Sequence, residues 1–233
     1  MKIHIFYRHY NIEKTDNRGR PHWFDYEKCF KNLLESLEDQ WSNPLKDVIL
    51  HVIFDGNIKN NFINKYKDKF TTHQIEAGSD QSSFFQTWEI AKQITMGSND
   101  LIYFLENDYL HTHNWVEEVV CLFSTYKLLH YVSLYDHNDK YILPMYDGLV
   151  SKILTTKTHH WRNTPSTCGS FIITRELLEL DYDIHTSIPG DHNKFLQLAE
   201  GRNRGVITPI PGLSTHCMEG LLSPTINWKN INN

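Results

Sequence analysis

Three short apolar runs, residues 2–8, 48–54 and 101–105, end in charge: the first closes on Arg8, the second on Asp55, the third on Glu106-Asn107-Asp108. Runs of this length without a polar face read as strands buried on both sides, which belong to parallel sheets covered by helices. Their charged exits are then exposed along the carboxyl edge of one sheet, where open α/β sheets bind ligands. This pattern restricts the fold more than any other feature of the 233 residues.

The intervening segments agree with it. Phe30, Leu33, Leu34 and Leu37 recur at helical spacing after Tyr26, so a helix joins the first two strands. A short helix over 60–70, a strand over 73–76 and a helix over 82–94 complete a βαβαβαβ order, that of a doubly wound nucleotide-binding half. Beyond residue 108 the alternation is irregular. Helices are expected over 115–126, 176–180 and from Asp191 to about residue 200, and strands over 131–134, 169–174 and 206–210. The stretch 148–158 is partly β-branched, and 11–21 and 212–216 read as loops. The expected fold is α/β: one domain on a mixed sheet, with a Rossmann-like half at 1–108 and an acceptor-shaping half at 109–233.

Composition removes several function classes. A formal net charge of −5 with dispersed Lys and Arg gives no basic stripe for nucleic acid. No apolar stretch approaches a membrane span. The N-terminus begins as a strand and lacks the marks of a signal peptide, so a cytoplasmic protein is expected. Cys29, Cys121, Cys168 and Cys217 are widely spaced with no CxxC, which signals neither a zinc site nor a disulfide framework. Buried free thiols are expected instead.

Carboxylate oxygens, here at strand exits, are the ligands Mg²⁺ or Mn²⁺ prefers while keeping positions open for substrate phosphates, and a late His216 lies on a loop. On these residues the chain resembles the GT-A-type glycosyltransferases, especially their family 2 branch, which use nucleotide-sugar donors. The resemblance implies a GT-A fold and a DxD-like motif at Glu106, Asn107 and Asp108, with Glu106 addressing the ribose and Asp108 binding the metal. It implies that Asp55 contacts the base, that Asp191 is the catalytic base, and that His216 completes the metal shell. The chain departs from the family pattern in opening its motif with Glu, in reducing Asp-Asp-Gly-Ser to Asp55-Gly56-Asn57, and in placing Gly190 before Asp191. The activity implied is transfer of a sugar from a nucleotide-diphosphate sugar to a glycan or other hydroxyl acceptor, with inversion, as in polysaccharide biosynthesis.

Other readings stand beside these. Asp55-Gly56 suits a turn, and Asp191 suits a helix start without any catalytic task. Trp161 is a candidate support for an acceptor sugar and Arg162 for a phosphate, against a surface loop with an anchored Trp. Arg8 meets either the nucleotide or an acidic neighbour. Two rival functions are a sugar nucleotidyltransferase and a non-catalytic carbohydrate-binding protein. The first should carry a Gly-rich basic loop after the first strand, where this chain has Arg8-His9-Tyr10-Asn11.

Overall fold

A computed structural model of the chain describes residues 1–11, 19–41 and 48–231. Residues 12–18, most of the expected 11–21 loop, lie outside the described residues. The alternating half runs β1 (Ile3–Tyr10), α1 (Tyr26–Trp41), β2 (Val48–Asp55), β3 (Thr71–Ile75), α2 (Asp80–Gln93) and β4 (Leu101–Glu106). The second half follows with β5 (Tyr109–His111), α3 (Trp115–Thr125), β6 (Tyr131–Val132), α4 (Asp139–Ile142), β7 (Ile153–Thr155), β8 (His160–Thr164) and β9 (Phe171–Thr174). It closes with α5 (Arg175–Leu180), α6 (Tyr182–Ser187), α7 (Asp191–Arg202), β10 (Val206–Ile210), β11 (Ser214–His216) and α8 (Trp228–Ile231).

Nine strands form one sheet in the order β3-β2-β1-β4-β9-β6-β10-β8-β7, and β5 pairs with β11 beside it. The first four are parallel. β9 then runs antiparallel to both β4 and β6, so the sheet turns mixed where the sequence alternation breaks down. This is a single α/β domain with a mixed central sheet flanked by helices, a Rossmann-like GT-A arrangement.

Alternation along β1 shows how the sheet is held. Ile3, Ile5 and Tyr7 pack with Phe30, Leu33 and Leu34 of α1 and with Val116 and Val119 of α3. Phe6 faces the other way, into Phe84 and Trp88 of α2, Leu178 of α5 and Phe195 of α7. Each large apolar side chain so buried contributes about 1.5–3 kcal/mol, and β1 is covered on both faces as its apolar run requires.

Some expectations change. The helix expected over 60–70 is two short 3₁₀ turns, Ile58–Asn60 and Phe62–Tyr66, started by the side chains of Asn57 and Asn61. Only Ile63 among them is buried, too little apolar surface to hold a longer helix. α2 starts earlier than expected, where Ser79 Oγ accepts from the Ser82 amide at 3.2 Å. All four cysteines are free thiols; Cys29 and Cys217 are buried, and Cys121 and Cys168 half-buried. Among the described residues no helix is long and apolar enough to cross a membrane.

Histidines replace apolar residues at several buried positions. His4, His51 and His73 form a chain across β1, β2 and β3, with ring nitrogens 3.2 Å apart at each step. Burial, reinforced by His4 and His73, pushes the His51 imidazole down to about 4. Burial likewise takes His9 to about 4 and His111 to about 3. The unfolded chain protonates near an ordinary value of about 6.5 while these folded imidazoles stay neutral, so it binds more protons in that interval. Their contribution is therefore intact above about pH 6.5 and is lost as pH falls towards 4, at about 1.4 kcal/mol per unit for each ring. Urea denaturation at about pH 7.5 and about pH 5 should show a loss of several kcal/mol at the lower pH. Equal midpoints would contradict the burial of neutral histidines.

Candidate active site

Strand register assembles the site. β1 pairs Tyr10 with Asp55 of β2 and Arg8 with Glu106 of β4, so three strand exits lie side by side. Two cavities open there. The larger, of about 860 Å³, is lined among others by Arg8, Asp55, Gly78, Asp80, Asn107 and Asp108. The smaller, of about 160 Å³, is lined among others by Arg8, Phe84, Glu106, Gly169, Asp191 and Lys194. Arg8, Asp80 and Glu106 line both, so they stand at the join.

The charged exits are not exposed as the strand pattern implied. Arg8 is 6% exposed and bridges Asp80 Oδ1 at 2.8 Å and Glu106 Oε1 at 3.0 Å. Arg8 thus has the acidic neighbours of one reading and also lines both cavities. Burial raises the Glu106 pKa, with Arg8 working against it. Ser170 Oγ donates to Glu106 Oε2 at 3.2 Å and accepts from the Glu106 amide at 3.1 Å. Gly169 lies close by: a Cβ there would sit 3.2 Å from both Arg8 Nη2 and Glu106 Oε1.

Asp108 is almost fully buried, and its Oδ2 accepts from Arg20 Nη2 at 2.7 Å. The same oxygen lies 3.1 Å from His216 Nε2. Burial opposes ionisation of Asp108, but His216 and Arg20 outweigh it and hold the carboxyl far below the usual range. Burial in turn lowers His216, and Asp108 more than reverses that. The expected loop at 212–216 is partly strand β11, whose His216 pairs with Tyr109 of β5 next to Asp108. That short ladder brings together two residues 108 positions apart.

Asp55 reaches across to the connection between β3 and α2, accepting from the amides of Ala77 at 2.7 Å and Gly78 at 3.0 Å. It shapes the turn before α2 and also lines the larger cavity. Asn107 is buried, with Nδ2 2.8 Å from His9 Nδ1. Asp191 stands in the first turn of α7, where Gly190 with φ 77° is the cap; its carboxylate pairs with Lys194 at 3.3 Å. It is not itself the N-cap.

Trp161 and Arg162 are placed away from both cavities. They belong to β8, not to a surface loop: Trp161 is fully buried in the hydrophobic core. Arg162, 4% exposed, pairs with Asp136 at 2.8 Å and lies 4.9 Å from the centre of the Tyr141 ring. Neither offers a free face or charge to an acceptor. Sequence reasoning missed Arg20, Asp80, Gly169 and Lys194. Glu-Asp spacing after a strand can be read locally, whereas Arg20 sits in a polar segment and reaches Asp108 only through the fold.

Asp108 and His216 are the pair that a divalent ion would have to use, and at present they hold each other. Among the described residues no group of three or more His, Cys, Asp or Glu is arranged to hold a metal. Two protein ligands suffice where substrate phosphates supply others, as is usual for Mg²⁺.

No family model and no curated protein matches this chain. Solved structures do. Residues 1–349 of S. aureus TarS superpose with a TM-score of 0.51 and 16% identity, over 89% of this chain and 58% of that one. The same fragment in complex with UDP gives 0.52 and 15% identity, over 89% and 57%. CMP:2-keto-3-deoxy-manno-octonic acid synthetase complexed with CTP gives 0.55 and 11% identity, over 91% and 92%. The chain thus spans little more than half of the TarS fragment, and identities this low show a shared fold alone.

Gly169→Ala should lower stability by roughly 1–3 kcal/mol, because the methyl group must displace the buried Arg8–Glu106 pair. Gly201→Ala in α7 meets nothing within 4 Å and should raise stability by up to about 1 kcal/mol through helix propensity. Denaturant titration of both variants checks this, and equal effects would contradict the close approach at Gly169.

Proposed function

We propose that the chain is a glycosyltransferase that moves a sugar from a nucleotide-diphosphate sugar to a hydroxyl acceptor, such as a glycan, with inversion. The observation that carries this reading is the pair of cavities meeting at Arg8 and Glu106, with Asp55 and Asp108 in the larger and Asp191 in the smaller. A donor fits with its nucleoside towards Asp55, its diphosphate at the join, and its sugar beside Asp191. The TarS fragment in complex with UDP, alike in fold over 89% of this chain, supports a nucleotide in such a cleft.

Charge adds a preference. Five carboxylates, Asp55, Asp80, Glu106, Asp108 and Asp191, line the cavities against Arg8 and Lys194. Arg8, Lys194, Arg20 and His216 pair with four of these carboxylates, and a divalent cation beside the diphosphate would favour its binding further. Mn²⁺ or Mg²⁺ held by Asp108 and His216 would be that cation and neutralise charge developing on the departing diphosphate. Arg8 orients the diphosphate, Glu106 addresses the ribose, and Asp55 addresses the base while fixing the turn at Ala77 and Gly78. Asp191 accepts the acceptor hydroxyl's proton as that oxygen attacks the anomeric carbon from the face opposite the leaving group.

A second reading, nucleotidyl transfer to a sugar, is favoured by the near-complete mutual coverage with the CTP-bound synthetase. Its product is pyrophosphate, and its expected Gly-rich loop is not present at Arg8-His9-Tyr10-Asn11.

Incubation with a panel of nucleotide sugars, Mn²⁺ and hydroxyl acceptors should release nucleoside diphosphate and give a product of inverted anomeric configuration by NMR. Pyrophosphate release from a nucleoside triphosphate and a free sugar would favour the second reading, and no turnover of either kind would leave binding alone. Asp191→Asn should lower kcat by about 10²–10⁴ with donor affinity retained, whereas a residue serving only the helix start should tolerate the change. Asp55→Ala should weaken donor binding by about 1.5–3 kcal/mol with little effect on kcat; unchanged affinity would confine Asp55 to its turn.

A further inference from the structure

A lysine on a helix surface normally carries its ammonium out to water along an apolar stem. Lys194 does not. Its side chain is 10% exposed and lines the smaller cavity together with Arg8 and Phe84. Both cations share the Phe84 ring: Lys194 Nζ lies 4.7 Å from its centre and Arg8 Cζ 5.3 Å.

The donors on these cations exceed the acceptors offered to them. The Lys194 ammonium has three N–H groups, and its one oxygen partner among the described residues is Asp191 Oδ1 at 3.3 Å, a long contact for a charge-assisted hydrogen bond. Arg8 Nε is buried without a partner, while Nη1 and Nη2 hold Asp80 and Glu106. The carboxylates that line the cavity are already served, Asp80 and Glu106 by Arg8, Glu106 also by Ser170, and Asp191 by Lys194. Gly190, which caps α7 and lines the same cavity, gives no side chain to the first-turn amides, and that end of a helix favours a negative group. Spare N–H groups on a cation withdrawn from water are stabilised by an acceptor, and an anionic oxygen is the strongest one.

We propose that Lys194 is a specificity-determining residue that reads a carboxylate on the transferred sugar, so that the donor is a nucleotide-linked acidic sugar of the uronic acid type. This rests on the nucleotide-sugar reading above, which puts the sugar in the smaller cavity and the diphosphate at its join with the larger. Arg8 is then engaged by the diphosphate, and the spare N–H groups of Lys194 fall to the sugar. One ammonium serves two carboxylates: it holds Asp191 through Oδ1 and the sugar carboxylate through its remaining donors. A neutral sugar offers the same donors a hydroxyl, which is the weaker partner.

Glucuronic acid 1-phosphate and glucose 1-phosphate differ at one carbon, a carboxylate in the first and a hydroxymethyl group in the second. They carry no nucleobase, so their comparison holds whatever base the larger cavity prefers. Calorimetric titration of the protein with each, in the presence of Mn²⁺, should show the glucuronic compound binding roughly tenfold more tightly. Lys194→Gln, and Lys194→Met with its apolar stem kept, should each abolish that preference while retaining affinity for glucose 1-phosphate. A residue serving only the packing of α7 would weaken both compounds alike, which would contradict the proposal. If neither variant folds, the wild-type ratio decides. Equal wild-type binding of the two compounds, or binding of neither while a nucleoside diphosphate binds, would overturn the carboxylate subsite and leave the nucleotide reading standing. Failure of nucleoside diphosphates and sugar phosphates alike to bind would overturn both.

Discussion

Two carboxylates two positions apart, Glu106 and Asp108, are taken largely out of water at the carboxyl edge of β4, and each must be neutralised there. Arg8 serves the first and Arg20 with His216 the second. Removing one partner of a buried pair costs about 3–5 kcal/mol, because the other charge stays buried without compensation. The flanking structure follows from this demand. β1 brings Arg8 into register with Glu106, and the β5–β11 ladder carries His216 to Asp108. Gly169 leaves room for the Arg8–Glu106 pair. Asp108 therefore has a structural role of its own, and its substitution is expected to disturb folding.

The parts legible in the sequence are those where local pattern and tertiary role coincide. β1, β2 and β4 are buried on both faces, so their apolar runs read as strands, and their exits mark the cleft. α1 shows its stripe because one face meets the sheet. The sequence was silent where a few residues depend on distant partners. β5, β8 and β11 are three to five residues long, and β8 exists because β10 and β7 flank it. His160-Trp161-Arg162 therefore read as a polar loop, although β8 turns Trp161 into the core. Arg20 carried no local signal, since its meaning depends on Asp108.

The same fold accommodates more than one reaction on a nucleotide. The larger cavity suits a nucleotide in glycosyl or nucleotidyl transfer alike, and likeness of fold to TarS and to a CTP-bound synthetase does not choose between them. The difference lies in the smaller cavity. There Asp191 stands at the start of α7, across the Arg8–Glu106 pair from Asp55 and Asp108 of the larger cavity.

The central claim is that one ligand spans both cavities with its diphosphate at their join, and a crystal structure with an intact nucleotide-sugar donor and Mn²⁺ tests it most directly. The account predicts the base towards Asp55, phosphate oxygens within hydrogen-bond reach of Arg8, and the sugar in the smaller cavity beside Asp191. A donor bound elsewhere, or one lying in the cleft with its sugar directed away from Asp191, would contradict it.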